Sequence, residues 1–455
     1  MSADCVLLPG HRHQLAAELV ERPGSAPPVD AYEVAAALEA SGISDRTASE
    51  RYGRPDVFAL GAELLPSLRM QAVGHTHAVR AARVAVIPTL QRGLVFVLPA
   101  LLTGSAMGGR TAQLEVVLLL AAVAYGWAAS QGVAYAGYAL TSAGSLPEAR
   151  RLMRDLAVVA LVPALVGAGL VWWQLPAAGY VLAVAVSQIA YVLASTVGVV
   201  LRRPGVMLAA LLPGLLVAVP DMLSAWPPRP VVLGGIGVSV VATVTAALVM
   251  CRGGRRPGRA VRRTVLSDSR LYAAYGACLA LLLTLGLVDG LVAPTPGLSL
   301  TLLPLVGGVV VAEWQLERYR SQAGLVLQTT TSAAAFGQLI RRALLRCSAG
   351  YLLVLVGLTA LLTLSSDLTT VIALRFGATV LLGWAFLAAL LLVAHRQVVP
   401  VVLVTGAGVV LAACRYFVMD QPFVLAVGYL AICGSLATTL SVLAWQRLTR
   451  VEVHR

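Results

Sequence analysis

The chain contains no lysine. That single absence removes the phosphate-loop lysine of nucleotide hydrolases and any lysine Schiff-base chemistry. Charge of either sign is scarce as well, at 12% of residues against 58% hydrophobic, which excludes both a soluble enzyme and a disordered chain. Only six histidines occur, with no His-Glu-x-x-His pattern and no Cys/His ligand spacing, so neither a metal nor another cofactor is expected. The six cysteines have no close partner in sequence and read as small apolar space fillers. Aromatic residues are not interleaved with the basic runs, so there is no stacking platform for bases and nucleic acid is not an expected partner.

What the sequence does have is a ladder of apolar segments that starts near residue 84 and runs almost to the C-terminus. A helix of roughly 20 residues crosses a hydrocarbon core of about 30 Å while satisfying its own backbone hydrogen bonds. Twelve spans follow, at about 84–106, 112–142, 156–173, 178–201, 204–225, 230–251, 271–292, 299–316, 347–364, 369–394, 397–414 and 422–446. The expected fold class is all-α: a polytopic membrane protein with about 12 transmembrane helices in two six-helix bundles, preceded by a small helical cytoplasmic module.

All 34 basic residues are arginines, and 29 of them fall on the side of the N-terminus if the spans alternate. Arg110, Arg229 and Arg415 fall on the other side, and Arg92 and Arg375 lie within spans. By the positive-inside rule both termini are cytoplasmic in a bacterial inner membrane, and the net charge of +13 is a topology signal with the lipid bilayer as partner.

Composition shifts divide the chain further. Residues 1–29, with Pro23, Gly24, Pro27 and Pro28, read as a flexible leader. Residues 30–80 read as a helical module. Gly42 and Gly53 end two helices, Ser44 caps the second, and Pro55 precedes the amphipathic run Val57, Phe58, Leu60, Leu64 and Leu65. Its acidic surface argues against DNA binding and for docking a cytoplasmic protein partner. The first six-helix bundle is expected over 83–251, a basic linker over 252–268, the second bundle over 269–446 and a tail over 447–455. Each half carries a small-residue run and then a basic stretch after its second span, Glu148–Arg154 and Leu339–Arg346, which suggests a parallel internal repeat.

Ionisable groups inside a bilayer are expensive and mark candidate sites. Arg92, next to Gln91 and between Pro88 and Pro99, is the strongest candidate for an anionic substrate group, about nine residues into its span. Arg375, Gln131 and Tyr135 are further substrate-binding candidates. Glu313 and Asp221 are candidates for gating or ion coupling, with a purely structural helix bridge as the alternative for each. No catalytic residue is expected.

Several features together resemble the multidrug, oligosaccharidyl-lipid and polysaccharide (MOP) flippase superfamily. They are the twelve spans in two halves, the deep Arg92, and Tyr125-Gly126-Trp127 near Gln131 ahead of the 144–154 loop. Within it, the segment Glu313–Arg320 and the Leu325–Arg346 stretch are most similar to the Pel-type exopolysaccharide transporter branch. The resemblance implies two bundles around a central cavity, alternating access, and a polysaccharide or lipid-linked glycan as substrate, with Arg92 on its phosphate. The resulting expectation is a secondary transporter or flippase and not an enzyme. A membrane-embedded glycosyl or acyl transferase and a non-transporting scaffold for envelope machinery remain as alternatives.

Overall fold

A computed structural model describes residues 30–66, 68, 86–107, 113–224, 227–292, 301–330, 332–364, 369–419 and 421–451. The leader expected over residues 1–29 lies outside them. Every regular element among the described residues is a helix. The chain forms two compact units, residues 1–85 with 325–330, and residues 86–324 with 331–455.

The smaller unit holds three short helices: α1 (Ala31–Ala40), α2 (Asp45–Tyr52) and α3 (Val57–Pro66). Their starts are fixed locally. Asp30 caps α1 by accepting the Glu33 N–H at 2.9 Å, and Ser44 caps α2 by accepting the Thr47 N–H at 3.4 Å. Gly42 and Gly53 turn the chain at φ +82° and +64°, where a β-carbon would be crowded. Asp45 then accepts the Val57 N–H at 2.9 Å and ties α2 to the start of α3. Val34, Leu38, Ala48, Val57, Leu60 and Leu64 close over one another as a small core.

The larger unit holds twelve long helices, α4 (Val86–Met107), α5 (Gln113–Ser142), α6 (Leu146–Gln174), α7 (Gly179–Val200), α8 (Pro204–Ser224), α9 (Arg229–Met250), α10 (Arg259–Val292), α11 (Leu303–Thr329), α12 (Ala333–Thr363), α13 (Thr370–Ala394), α14 (Val398–Cys414) and α15 (Pro422–Leu448). Eleven are long and apolar enough to span a membrane. The exception is α11, which is long enough but carries Glu313, Glu317, Arg318 and Arg320. Several helices run beyond the predicted spans: α6 begins at Leu146, α10 at Arg259 and α12 at Ala333, so each adds a basic amphipathic turn or more to its apolar stretch.

Helices α4–α9 pack mainly with one another, as do α12–α15, while α10 packs on α14 but more extensively on α5. The principal seam between the two sets runs along α5 and α10. Small residues let these helices approach. A β-carbon on Gly132 would lie 3.2 Å from the Ser269 carbonyl oxygen, and one on Gly276 would lie 2.7 Å from the Gln131 side chain. A second crossing joins α4 to α11, where a Gly93 β-carbon would lie only 2.6 Å from the Val310 Cα. Advancing six spans turns α4 into α10 and α5 into α11. Under the repeat expected from the sequence, the crossings α5–α10 and α4–α11 would exchange.

Prolines inside these helices are compensated by neighbours. Pro99 has no N–H, which leaves the Val95 carbonyl without its usual partner in α4, and the Tyr191 hydroxyl of α7 donates to it at 2.7 Å. At the Pro213 turn of α8, Ser239 of α9 accepts the Gly214 N–H at 2.8 Å and donates to the Leu211 carbonyl at 3.1 Å. Both helices thus remain continuous through their prolines.

Candidate functional site

The four helices that form the two crossings, α4, α5, α10 and α11, converge on Glu313. It lies within electrostatic range of Arg92 on α4, Tyr138 on α5, Tyr275 on α10, and Arg320 and Glu317 on its own helix. The spacing on α11 places Glu313, Glu317 and Arg320 along one helix face. The opposite face packs on α12, where Gly308 meets Leu355 and Tyr351, and Gln315 crosses Gly350. That division explains why α11 is too polar to pass as a simple span.

Arg92 and Glu313 are half-buried, and Tyr138 keeps 49% of its surface. Among the described residues the Arg92 Nε has no hydrogen-bond acceptor. Arg92 lies six residues after Val86, the first described residue of α4. Its neighbour Gln91 lies against Gly205 at the start of α8.

A second polar group adjoins the first along α5. The Tyr135 hydroxyl donates to Asp268 of α10 at 2.8 Å and its ring stacks on Tyr272 with centroids 4.0 Å apart. Arg396 lies within electrostatic range of both tyrosines. Tyr135 and Tyr138, three residues apart, thus present one face of α5 to groups from both bundles. Gln131, one turn away, is spent against Gly276 in the seam itself.

The other predicted residues lie on different elements. Arg375 on α13 is buried and ion-paired with Asp289 on α10, which also pairs with Arg415. Arg415, read from sequence as a loop arginine, is instead buried. It donates to the carbonyls of Ala412 at 3.1 Å, Leu425 at 3.0 Å and Leu285 at 3.2 Å. Tyr429 lies beneath both guanidinium groups, 5.5 Å from Arg375 and 4.6 Å from Arg415. Asp221 on α8 accepts from Ser105 at 2.6 Å and pairs with Arg229 at 3.6 Å, while Arg229 donates to the Ser105 and Ala106 carbonyls. This set pins the start of α9 to the end of α4.

Beside the Pro99 turn lies a cavity of about 150 Å³, lined by Pro99, Thr103, Tyr180, Gln188, Tyr191 and Leu233 among others. Pockets for drug-sized ligands are roughly 300–1,000 Å³, so this one suits a few waters or a small group. No group of three or more potential metal ligands occurs among the described residues.

Together these features define a polytopic helical membrane protein whose two sets of helices meet over a shared charged cluster. No family model matches the chain, and neither does any curated protein sequence. Solved structures do match. The chain is similar over 80% of its length to a crystal structure of MATE in the bent conformation, covering 94% of that chain at 14% identity with a TM-score of 0.51. It is similar over 81% to MATE in complex with MaD5, covering 95% of that chain at 14% identity, again with a TM-score of 0.51. A further match, at 13% identity and TM-score 0.49, is an outward-facing multidrug resistance MATE family transporter of the MOP superfamily, with 81% of this chain and 95% of that chain covered. The structural neighbours are therefore MATE transporters, and the fold is of the MATE type.

Proposed function

We propose that the protein is a secondary transporter that exports a polysaccharide or lipid-linked glycan across a bacterial cytoplasmic membrane by alternating access, as in the Pel-type branch that its α11 segment resembles. The observation that carries this reading is the convergence of α4, α5, α10 and α11 on Arg92 and Glu313. An ion cluster built from both bundles would sense their relative movement. A single-bundle cluster would have no such view.

In this reading Arg92 holds an anionic group on the substrate through charge-assisted hydrogen bonds, and Glu313 competes for the same guanidinium when the site is empty. Substrate binding would then exchange an inter-bundle ion pair for a substrate contact, which links occupancy to bundle movement. Tyr135 and Tyr138 offer hydroxyls to sugar hydroxyls nearby. Asp221 and Arg375, each already paired, hold helices together and leave coupling to Glu313. The arginine-rich end faces the cytoplasm by the positive-inside rule, and the small helical unit docks a cytoplasmic protein.

Arg92→Ala supplies the test. It should abolish glycan export by cells expressing the protein while its membrane level stays at that of the wild type. Undiminished export would remove the assignment. Sugar incorporation by the purified protein would instead favour a transferase.

A further inference from the structure

At the start of α6, the basic stretch after the second span answers part of its own charge, since Arg151 lies 3.1 Å and Arg154 3.6 Å from the Asp155 carboxylate. The matching stretch at the start of α12 has no such answer. Arg341, Arg342 and Arg346 are exposed there, and α12 contains no acidic residue along its whole length.

The end of α15 rests against this stretch. A β-carbon on Gly337 would lie 3.5 Å from the Thr449 carbonyl oxygen, and the Arg341 guanidinium sits over the Trp445 ring, 5.6 Å from its centroid. From the first contact to the second the register advances four residues on α12 and retreats four on α15, so the two helices run side by side and antiparallel here. α15 is also without an acidic residue, and its end adds the exposed Arg447 and Arg450. Among the described residues none of the five arginines at this corner has an ion-pair partner.

What adjoins the arginines decides the class of ligand. Leu345, Leu353, Val356 and Leu364 are exposed and recur at helical spacing, while Ile340, Leu344, Tyr351 and Leu355 are buried on the other side of α12. The exposed stripe begins one turn after Arg341 and Arg342 and runs down the span. A soluble phosphate has no use for it, whereas an acyl chain does. Trp445 lies where the charged corner meets the apolar span, the level at which an indole with an apolar body and a polar N–H is favoured.

We propose that the corner between the start of α12 and the end of α15 binds an anionic phospholipid carrying two phosphates, of the diphosphatidylglycerol type. Arg341, Arg342 and Arg346 take one phosphate and Arg447 and Arg450 the other through charge-assisted hydrogen bonds, and an acyl chain lies along the α12 stripe. Two phosphates match two helices. The lipid is resident and not cargo, and it ties α12 to α15 at their arginine-rich ends. The claim does not depend on the transport reading, so the outcome for Arg92→Ala has no bearing on it.

The test uses the full chain in phosphatidylcholine nanodiscs doped with diphosphatidylglycerol, or with phosphatidylglycerol at the same total negative charge. Native mass spectrometry should find about one diphosphatidylglycerol retained per wild-type chain, and the unfolding midpoint should rise by about 3 °C at saturation. Phosphatidylglycerol should give less than half of that shift. Arg341→Gln combined with Arg447→Gln, one change on each helix, should lose both the retained lipid and the shift. Arg262→Gln combined with Arg263→Gln, which removes the same charge from an exposed stretch of α10, should keep both. Equal shifts from the two lipids in the wild type, or equal losses in the two double variants, would overturn the proposal, because general attraction to a cationic surface would then suffice. Inorganic pyrophosphate reproducing the shift in pure phosphatidylcholine would overturn it too, by putting a soluble phosphate at the corner. The comparison of lipids on the wild type decides the matter even where a double variant does not fold.

Discussion

The buried Arg375–Asp289–Arg415 group yields a prediction whose sign differs from residue to residue. One carboxylate serves two guanidinium groups, with Arg375 4% and Asp289 3% exposed at the side chain. At a separation of roughly 3 Å and an effective dielectric constant of about 20, each attraction is worth about 5 kcal/mol, while two guanidinium groups about 6 Å apart repel by about 3 kcal/mol. Asp289→Asn forfeits both attractions and leaves two buried cations facing each other, so stability should fall by at least about 4 kcal/mol. Arg375→Met forfeits one attraction and a cation–π contact, yet it also removes the repulsion and the cost of burying one charge. Its net effect should lie within about 1 kcal/mol of zero. Arg415→Met should be the costlier arginine change, because Arg415 also satisfies the carbonyls of Ala412, Leu425 and Leu285. Thermal unfolding of the three purified variants in nanodiscs gives the order directly. If Arg375→Met proves as damaging as Asp289→Asn, the two arginines are not redundant partners of one carboxylate and the reasoning fails.

Two further outcomes follow from local geometry. Gly93→Ala places a β-carbon 2.6 Å from the Val310 Cα, a backbone atom that cannot swing away, so spin labels on α4 and α11 should move apart and transport should fall several-fold. Gly104→Ala in the same helix meets nothing within 4 Å and should leave both readouts unchanged. Cys251, in the turn after α9, is fully buried and burial pushes its thiol up to about 11. Because the raised value leaves almost no thiolate at pH 8, N-ethylmaleimide should spare Cys251 in the native protein and modify it after denaturation, as read by mass spectrometry. Native alkylation at wild-type stability would contradict that burial.

Much of the fold was legible because the signals are local. Apolar runs of span length, Ser44 and Gly53 as helix punctuation, and the absence of lysine each depend on neighbouring residues alone. The small-residue and basic stretches after the second and eighth spans already hinted at duplication. The candidate site was legible only in part. Arg92 and Glu313 stood out as ionisable groups in apolar surroundings, but nothing in their spacing could pair residues more than two hundred positions apart. Arg415 was missed because a loop arginine beside a span looks like any other topology marker.

By itself, then, the sequence determined that this chain is a polytopic helical membrane protein with a helical leading module, since hydrophobic length and caps act within one segment at a time. Which charges meet was decided only by tertiary packing. Glycines at 93, 132 and 276 bring α4 to α11 and α5 to α10, and that approach gathers Arg92, Tyr138 and Glu313 while Asp289 is enclosed by two arginines from elsewhere. A buried charge is stabilised by whatever lies within a few ångströms, and that distance is a property of the folded bundles rather than of the order of residues along the chain.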